Sequence, residues 1–371
     1  MADFLHQRLA KLEAAGTRRQ LGGSVEGIDF WSNDYLGLAR IATEEQQFAQ
    51  GISRPSGATG SRLISGDANW CHELEAMIAN HHGHPAALVF NSGYTANLGL
   101  LSAVLKRGDV LLYDELMHAS CRDGIRLGQA KAFKFKHNEL EEGLQRLAGT
   151  IAEANQLFVL TEGRFSMDGD VAPLQKMAAM CRALGAHLIV DEAHSGGLEG
   201  HLGSGLVAEL GLQRKVFATV VTYGKAFGSH GAAVVGSAEL REYLINTCRP
   251  FIYTTGPAPA QWSGIAAAYE KMRKWHGRAY PQLLERVRQF QELVPLDNVL
   301  TNGPIQIVHL SGNEEVMAAE LACREAGLLV KGIRSPTVAA GQERLRVCLH
   351  AFNTEDEIAL LAEVLKSVMK V

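Results

Sequence analysis

A series of short apolar runs, each four to six residues long and most followed by polar or charged residues, restricts this chain more than any other feature. The runs are Ala86 to Phe90, Val110 to Tyr113, Leu157 to Leu160, His187 to Val190, Val216 to Val221 and Ala232 to Val235. Most are separated by segments of helical period. Continuous apolar runs of this length suit strands of a mostly parallel sheet with helices on both faces, because neither strand face then meets water. The pattern predicts an α/β fold. Sheets of that type bind ligands beyond the carboxyl ends of their strands, and polar clusters stand there in this chain. Asn91-Ser92-Gly93-Tyr94, Asp114 to His118, Glu162 to Asp170, Asp191-Glu192-Ala193-His194 and Thr222-Tyr223-Gly224-Lys225 each follow a run.

The flanking segments read differently. Phe4 to Ala15, with Phe4, Leu5, Leu9 and Leu12 on one face, predicts an amphipathic helix ending at Gly16, an arm packed on the body. A short strand at Ile28 to Trp31 and a helix from Trp70 to His82, closed by Gly83, follow. Beyond a helix from Ala258 to His276 the order becomes helix 281–293, strand 305–310, helix 313–326, strands near 328–332 and 344–348, and a final helix 355–369. We expect an arm over 1–40, a large domain over 41–278 and a smaller α+β domain over 279–371.

Composition excludes several partners. A net charge of -4, with neither sign massed in one segment, argues against nucleic acid. No run approaches the roughly 18 apolar residues of a membrane span, and the charged amino end lacks the apolar stretch of a signal peptide. A cytoplasmic protein is expected. Cys71, Cys121, Cys181, Cys248, Cys323 and Cys348 lie too far apart for zinc or redox pairs and read as core thiols.

Three tempting motifs fail. Gly224-Lys225 is no phosphate-binding P-loop, because Thr219 and Ala226 stand where that motif needs Gly and Ser or Thr. Gly203-x-Gly205-x-x-Ala208 has dinucleotide spacing but no strand before it. His81-His82-Gly83-His84 lacks carboxylates for a metal and reads as a solvated helix end.

Lys225 is more informative, lying in a Gly-flanked turn after one strand, downstream of an acid-and-histidine group that ends another. An enclosed amine is disfavoured as a cation, becomes nucleophilic, and can form a Schiff base with an aldehyde such as pyridoxal phosphate. That cofactor needs a carboxylate at its ring nitrogen, which Asp191 suits. Its phosphate needs N–H groups at a helix start and hydroxyls, which Ser92, Gly93, Tyr94 and Thr222 suit. A flat partner and a hydrogen-bond partner for its phenolic oxygen can come from His118 and His194.

With Ser32 to Gly37, Thr59 to Leu63, Asn91 to Asn97, His118-Ala119-Ser120, Phe165 to Asp170, Asp191 to His194, Thr222-x-Gly224-Lys225 and Arg344-Leu345-Arg346, the chain resembles the α-oxoamine synthases along nearly its whole length. These are pyridoxal-phosphate enzymes of fold type I, a mostly parallel sheet between helices plus a smaller α+β domain. The resemblance implies that Lys225 carries the cofactor, that Asp191 pairs with its pyridinium and that His118 stacks on the ring. It places His194 and Ser166 near the phenolic oxygen, and Gly93, Tyr94 and Thr222 around the phosphate. It assigns Asn33 and Arg346 to the amino acid's carboxylate, which the arginine fork binds in two places. It also implies a homodimer with shared sites, Tyr253-Thr254-Thr255 reaching the second copy's phosphate.

The implied reaction is a decarboxylating condensation of an amino acid with an acyl thioester. Gly224 to Gly228, Gly231 to Val234 and Ile252 to Thr255, with Pro257 to Ala260, look most like members that join L-alanine to a pimeloyl thioester for biotin. Glycine with acetyl-CoA is the alternative, ahead of an aminotransferase or a non-catalytic module. Gly196, Asn353, Arg164 and a short stretch between Leu38 and Ser56 depart from the family pattern.

Overall fold

A computed structural model describes residues 3–369 apart from 15–16, 20, 22, 24, 42–55, 295–300 and 336–337; the short stretch noted between Leu38 and Ser56 therefore lies largely outside the described residues. Strand β1 (Ile28–Asp29) precedes seven strands of the main sheet. These are β2 (Ala86–Phe90), β3 (Val110–Asp114), β4 (Lys131–Phe135), β5 (Leu157–Glu162), β6 (His187–Asp191), β7 (Ala218–Thr222) and β8 (Ala232–Gly236). Their order is β2-β8-β7-β6-β5-β3-β4, and only β8 runs against the others. All six expected strands are present. The expected pattern missed β4, an edge strand whose Lys131 and Lys134 are exposed. Edge lysines break up an apolar run while blunting the open edge against pairing with another chain.

Successive strand residues face opposite ways. Leu111, Phe158, Leu160 and Ile189 pack on one side with Ala96, Leu100 and Leu101 of the helix Gly93–Val104. Val110, Leu112, Val159 and Val190 pack on the other with Leu174, Met177 and Cys181 of the helix Leu174–Leu184. All six cysteines are free and buried.

A second sheet joins β9 (Ile305–His309), β11 (Lys331–Ile333) and β12 (Arg344–Cys348), with β12 central and antiparallel to both neighbours. Between them in sequence, β10 (Leu328–Leu329) pairs in parallel with β1, so the amino-terminal stretch is fastened to the carboxyl-terminal part. One helix, Pro259–Leu293, replaces the two expected over this region and runs through the expected boundary at 278. Pro281 removes the N–H that the Gly277 carbonyl would have received, but Gly277 is exposed, so that carbonyl is open to solvent and the helix continues. Trp262, Ile265 and Met272 from its first half and Leu283, Val287 and Phe290 from its second belong to one apolar cluster that reaches Val347 and Leu361.

Two expectations are corrected. The helix Asp3–Ala14 forms, but Phe4, Leu5, Leu9 and Leu12 are 55%, 50%, 45% and 44% exposed, so its apolar face does not pack on the body of its own chain. The residues at the end of the helix Asn69–His82 are no solvated cationic end: His82 and His84 are buried. His82 Nδ1 donates to the Ser204 carbonyl at 2.8 Å, and Nε2 accepts from the Tyr269 hydroxyl at 2.8 Å. Burial pulls His82 down to about 3 and His84 to about 4. Among the described residues no helix is long and apolar enough to cross a membrane.

Candidate active site

Strands β2, β3, β5, β6 and β7 end on one edge of the sheet, and β3, β5 and β6 each end in a buried acid: Asp114, Glu162 and Asp191. A cavity of about 280 Å³ opens above them. Asn33, Ser92, Gly93, Tyr94, His118, Ser166, Asp191, His194, Thr222 and Lys225 all line it, so ten of the expected site residues are brought together from segments far apart in sequence. Arg346 stands just behind, donating to Asn33 Oδ1 at 3.0 Å. Thr254 and Thr255 are outside the lining; the Thr255 carbonyl accepts from Asn91 Nδ2 at 3.0 Å.

The helix Gly93–Val104 starts at the cavity wall. Ser92 caps it, accepting from the Thr95 N–H at 3.2 Å, and the helix start points the positive end of its dipole toward the cavity wall. A Cβ at Gly93 would lie 2.5 Å from Thr222 Cγ2, so only glycine lets the helix start meet the end of β7. On the opposite wall, the hairpin between β7 and β8 carries Lys225. Its Gly228 has φ +61°, and a Cβ there would fall 2.2 Å from Ala39 N, which ties the lysine turn to the Ser32–Ala39 segment.

Asp191 accepts from Asn97 Nδ2 at 2.7 Å and from the Ala193 N–H at 2.9 Å. Asn97 also donates to Ser120 Oγ at 3.0 Å. Ser120 in turn contacts His118 Nδ1 through its hydroxyl, at 2.8 Å, and its N–H, at 3.2 Å. A backbone N–H only donates, so Nδ1 of His118 is bare and its exposed ring presents Nε2–H. Glu162 accepts from the His118 N–H at 2.8 Å, and burial beside Asp191 pushes its carboxyl up to about 8.

Lys225 Nζ sits 2.7 Å from His194 Nε2. Enclosure pulls the lysine down to about 8, against the opposing influence of Asp191 and Glu162. Tyr35 Oη lies 2.7 Å from His194 Nδ1 and 3.0 Å from Asn33 Oδ1. Arg346 completes the group, its Nε donating to the Ser166 carbonyl at 2.7 Å.

The loop bearing Ser166 is anchored from three sides. Arg344 pairs with Asp168, Arg164 with buried Glu199, and His137 Nε2 with Asp170 at 2.8 Å. Arg164 also reaches Thr301 Oγ1 at 2.8 Å, across to the small sheet's side, which accounts for a charged residue there.

Tyr35, Asn97, Ser120 and Glu162 were given no role by the sequence. Each stands in or beside a recognised stretch, but the contacts that join Tyr35 to His194, Asn97 to Ser120 and Asp191, and Glu162 to His118 span 23 or more residues, and nothing in one sequence reports that pairing.

Residues 25–365 match the family described as aminotransferase class I and II. The 8-amino-7-oxononanoate synthase of Pseudomonas entomophila (strain L48) is 39% identical, over 98% of this chain and 97% of that one. Among solved structures, a Sphingomonas wittichii serine palmitoyltransferase superposes with a TM-score of 0.88 at 28% identity, covering 100% of this chain and 97% of the other. An 8-amino-7-oxononanoate synthase from Francisella tularensis gives 0.79 at 30%, covering 93% and 98%. The shared fold, the near-complete coverage and the lysine-bearing cavity agree: the chain belongs to the aminotransferase class I and II family, in its α-oxoamine synthase branch.

Proposed function

We propose that this chain is an acyltransferase that joins L-alanine to a pimeloyl thioester, on CoA or acyl carrier protein, releasing thiol and CO2 and giving 8-amino-7-oxononanoate for biotin. The observation that carries the reading is the Lys225 amine, 2.7 Å from His194, in the same cavity as the buried carboxylate Asp191, in a chain similar over nearly its full length to 8-amino-7-oxononanoate synthases.

The residues present fit pyridoxal phosphate. The glycine-only contact of Gly93 with Thr222 and the helix start above it suit a phosphate, and Asp191 is fixed in place by two donors, Asn97 Nδ2 and the Ala193 N–H. When bound, the cofactor supplies an electron sink for the charge left at Cα. Asp191 would pair with the ring nitrogen, His118 would cover the ring, and His194 with Ser166 would serve the phenolic oxygen. Lys225 would hold the cofactor and, once displaced by the amino acid, its freed amine would take the Cα proton. Arg346 and Asn33 receive the amino acid's carboxylate, orienting the Cα–H bond toward Lys225.

The working form is assigned as a cytoplasmic homodimer in which Thr254 and Thr255 of one copy complete the other's phosphate site. Their absence from their own cavity lining and the exposed apolar face of the helix Asp3–Ala14 support a second copy.

Thiol release and product mass, measured with alanine, glycine and serine against pimeloyl, acetyl, succinyl and palmitoyl thioesters, test the reading. The highest kcat/KM is expected for alanine with the pimeloyl thioester. Activity confined to glycine with acetyl-CoA overturns the substrate assignment. The serine palmitoyltransferase likeness favours a second reading, in which serine and a long acyl chain win.

A further inference from the structure

We infer that Tyr35 is a positioning residue that holds His194 as the neutral Nδ1–H tautomer, leaving a bare Nε2 lone pair aimed at Lys225, with the direction imposed from the far end by Arg346.

The argument follows protons along four contacts. Arg346 has donors only, and its Nη2 meets Asn33 at 3.0 Å, so the carboxamide must present Oδ1 there. Tyr35 Oη lies 3.0 Å from that same Oδ1. An acceptor faces it, so the single phenolic proton points at Asn33. His194 Nδ1 is 2.7 Å from the same phenolic oxygen, which now offers only lone pairs, so Nδ1 must carry the proton. A neutral imidazole protonated at Nδ1 is bare at Nε2, the atom 2.7 Å from Lys225 Nζ. The lysine end agrees independently: an ammonium has no acceptor, so a protonated Nε2 facing it at that distance would set donor against donor.

The surroundings keep the imidazole neutral. Burial, then the charges of Lys225 and Arg346, hold His194 well below its ordinary value. Tyr35 is fully buried, so bulk water does not reach its phenolic proton. The consequence is a directional link between the two ends of the cavity: the group assigned to the amino acid's carboxylate sets the direction of the hydrogen bond at the amine. An orienting partner that fixes an imidazole tautomer has large catalytic weight elsewhere. Only this catalytic consequence rests on the proposed function; the tautomer belongs to the chain itself.

The test is nitrogen NMR of the full-length protein labelled with 15N-histidine, with and without pyridoxal phosphate, the His194 signals being identified by their loss in His194→Gln. Without cofactor, a pyrrole-type Nδ1 and a pyridine-type Nε2 are expected. Tyr35→Phe, which deletes the acceptor, should move both signals toward a tautomer mixture and lower kcat roughly 10- to 100-fold, the usual cost of losing an orienting partner. A pyrrole-type Nε2 or an imidazolium in the unsubstituted protein overturns the inference, as does a Tyr35→Phe spectrum unchanged from the parent. Expected spectra without any condensation activity would refute the proposed function and leave the tautomer standing.

Discussion

Arg344 of β12 forms an ion pair with Asp168, in the loop that delivers Ser166 to the cavity. Two residues along the same strand, and therefore on the same face, Arg346 donates to the Ser166 carbonyl at 2.7 Å. The small sheet thus grips the loop twice, and the arginine assigned to substrate is held in register by its neighbour. Both partners are largely buried, with side chains 5% and 18% exposed. Asp168→Asn should cost about 3 kcal/mol of stability, the scale for breaking a buried pair, and raise the KM for the amino acid. Urea unfolding and steady-state kinetics check the two effects; an unchanged KM would detach the loop from substrate binding.

Arg346→Ala removes the cation assigned to the carboxylate. Charged hydrogen bonds contribute about 1.5–3 kcal/mol each, so the KM for the amino acid should rise roughly 10- to 100-fold with less effect on the thioester's KM. A thioester KM that moves as much would assign Arg346 to the other substrate.

Lys225 should capture free pyridoxal phosphate at a lower pH than an ordinary lysine. The neutral amine is the nucleophile, and a group pulled from 10.5 down to about 8 is half neutral near pH 8. Stopped-flow capture by cofactor-free protein should rise with pH and level off above about 8. A rate still climbing at pH 10 would contradict the enclosure of the amine.

His82 links stability to acid. Its folded value, about 3, lies below the ordinary 6.5, so the unfolded chain takes up the proton first as pH falls. Its contribution is fully present above about pH 6.5 and is lost as pH falls through about 3. Unfolding free energies measured across that window should fall less steeply for His82→Gln than for the parent.

Much of this architecture is legible in the chain because burial on both faces leaves an apolar run with little room for exceptions, as at Ala86–Phe90 and Ala232–Gly236. At the sheet's edge, as in β4, where Lys131 and Lys134 on opposite faces are both exposed, the apolar run disappears and the strand signal with it. The sequence pattern gives one helix to His276 and another from 281, whereas the chain stays helical through Pro281 because Gly277, whose carbonyl loses its donor, is exposed, which is a property of the folded surface. The histidines after Ala79 were misread for a related reason: polar residues signal exposure unless a distant partner, here Tyr269 and the Ser204 carbonyl, awaits them. At the cavity, residues that touch a cofactor announce themselves by chemistry at strand ends. Those that orient them, Tyr35, Asn97 and Glu162, are defined by contacts across the fold.

The most direct measurement of the account is borohydride reduction of the purified protein followed by peptide mapping. A pyridoxyl mass fixed on Lys225, and absent from Lys225→Ala, is the predicted result. Label on another lysine, or none on a protein that turns over, would contradict it.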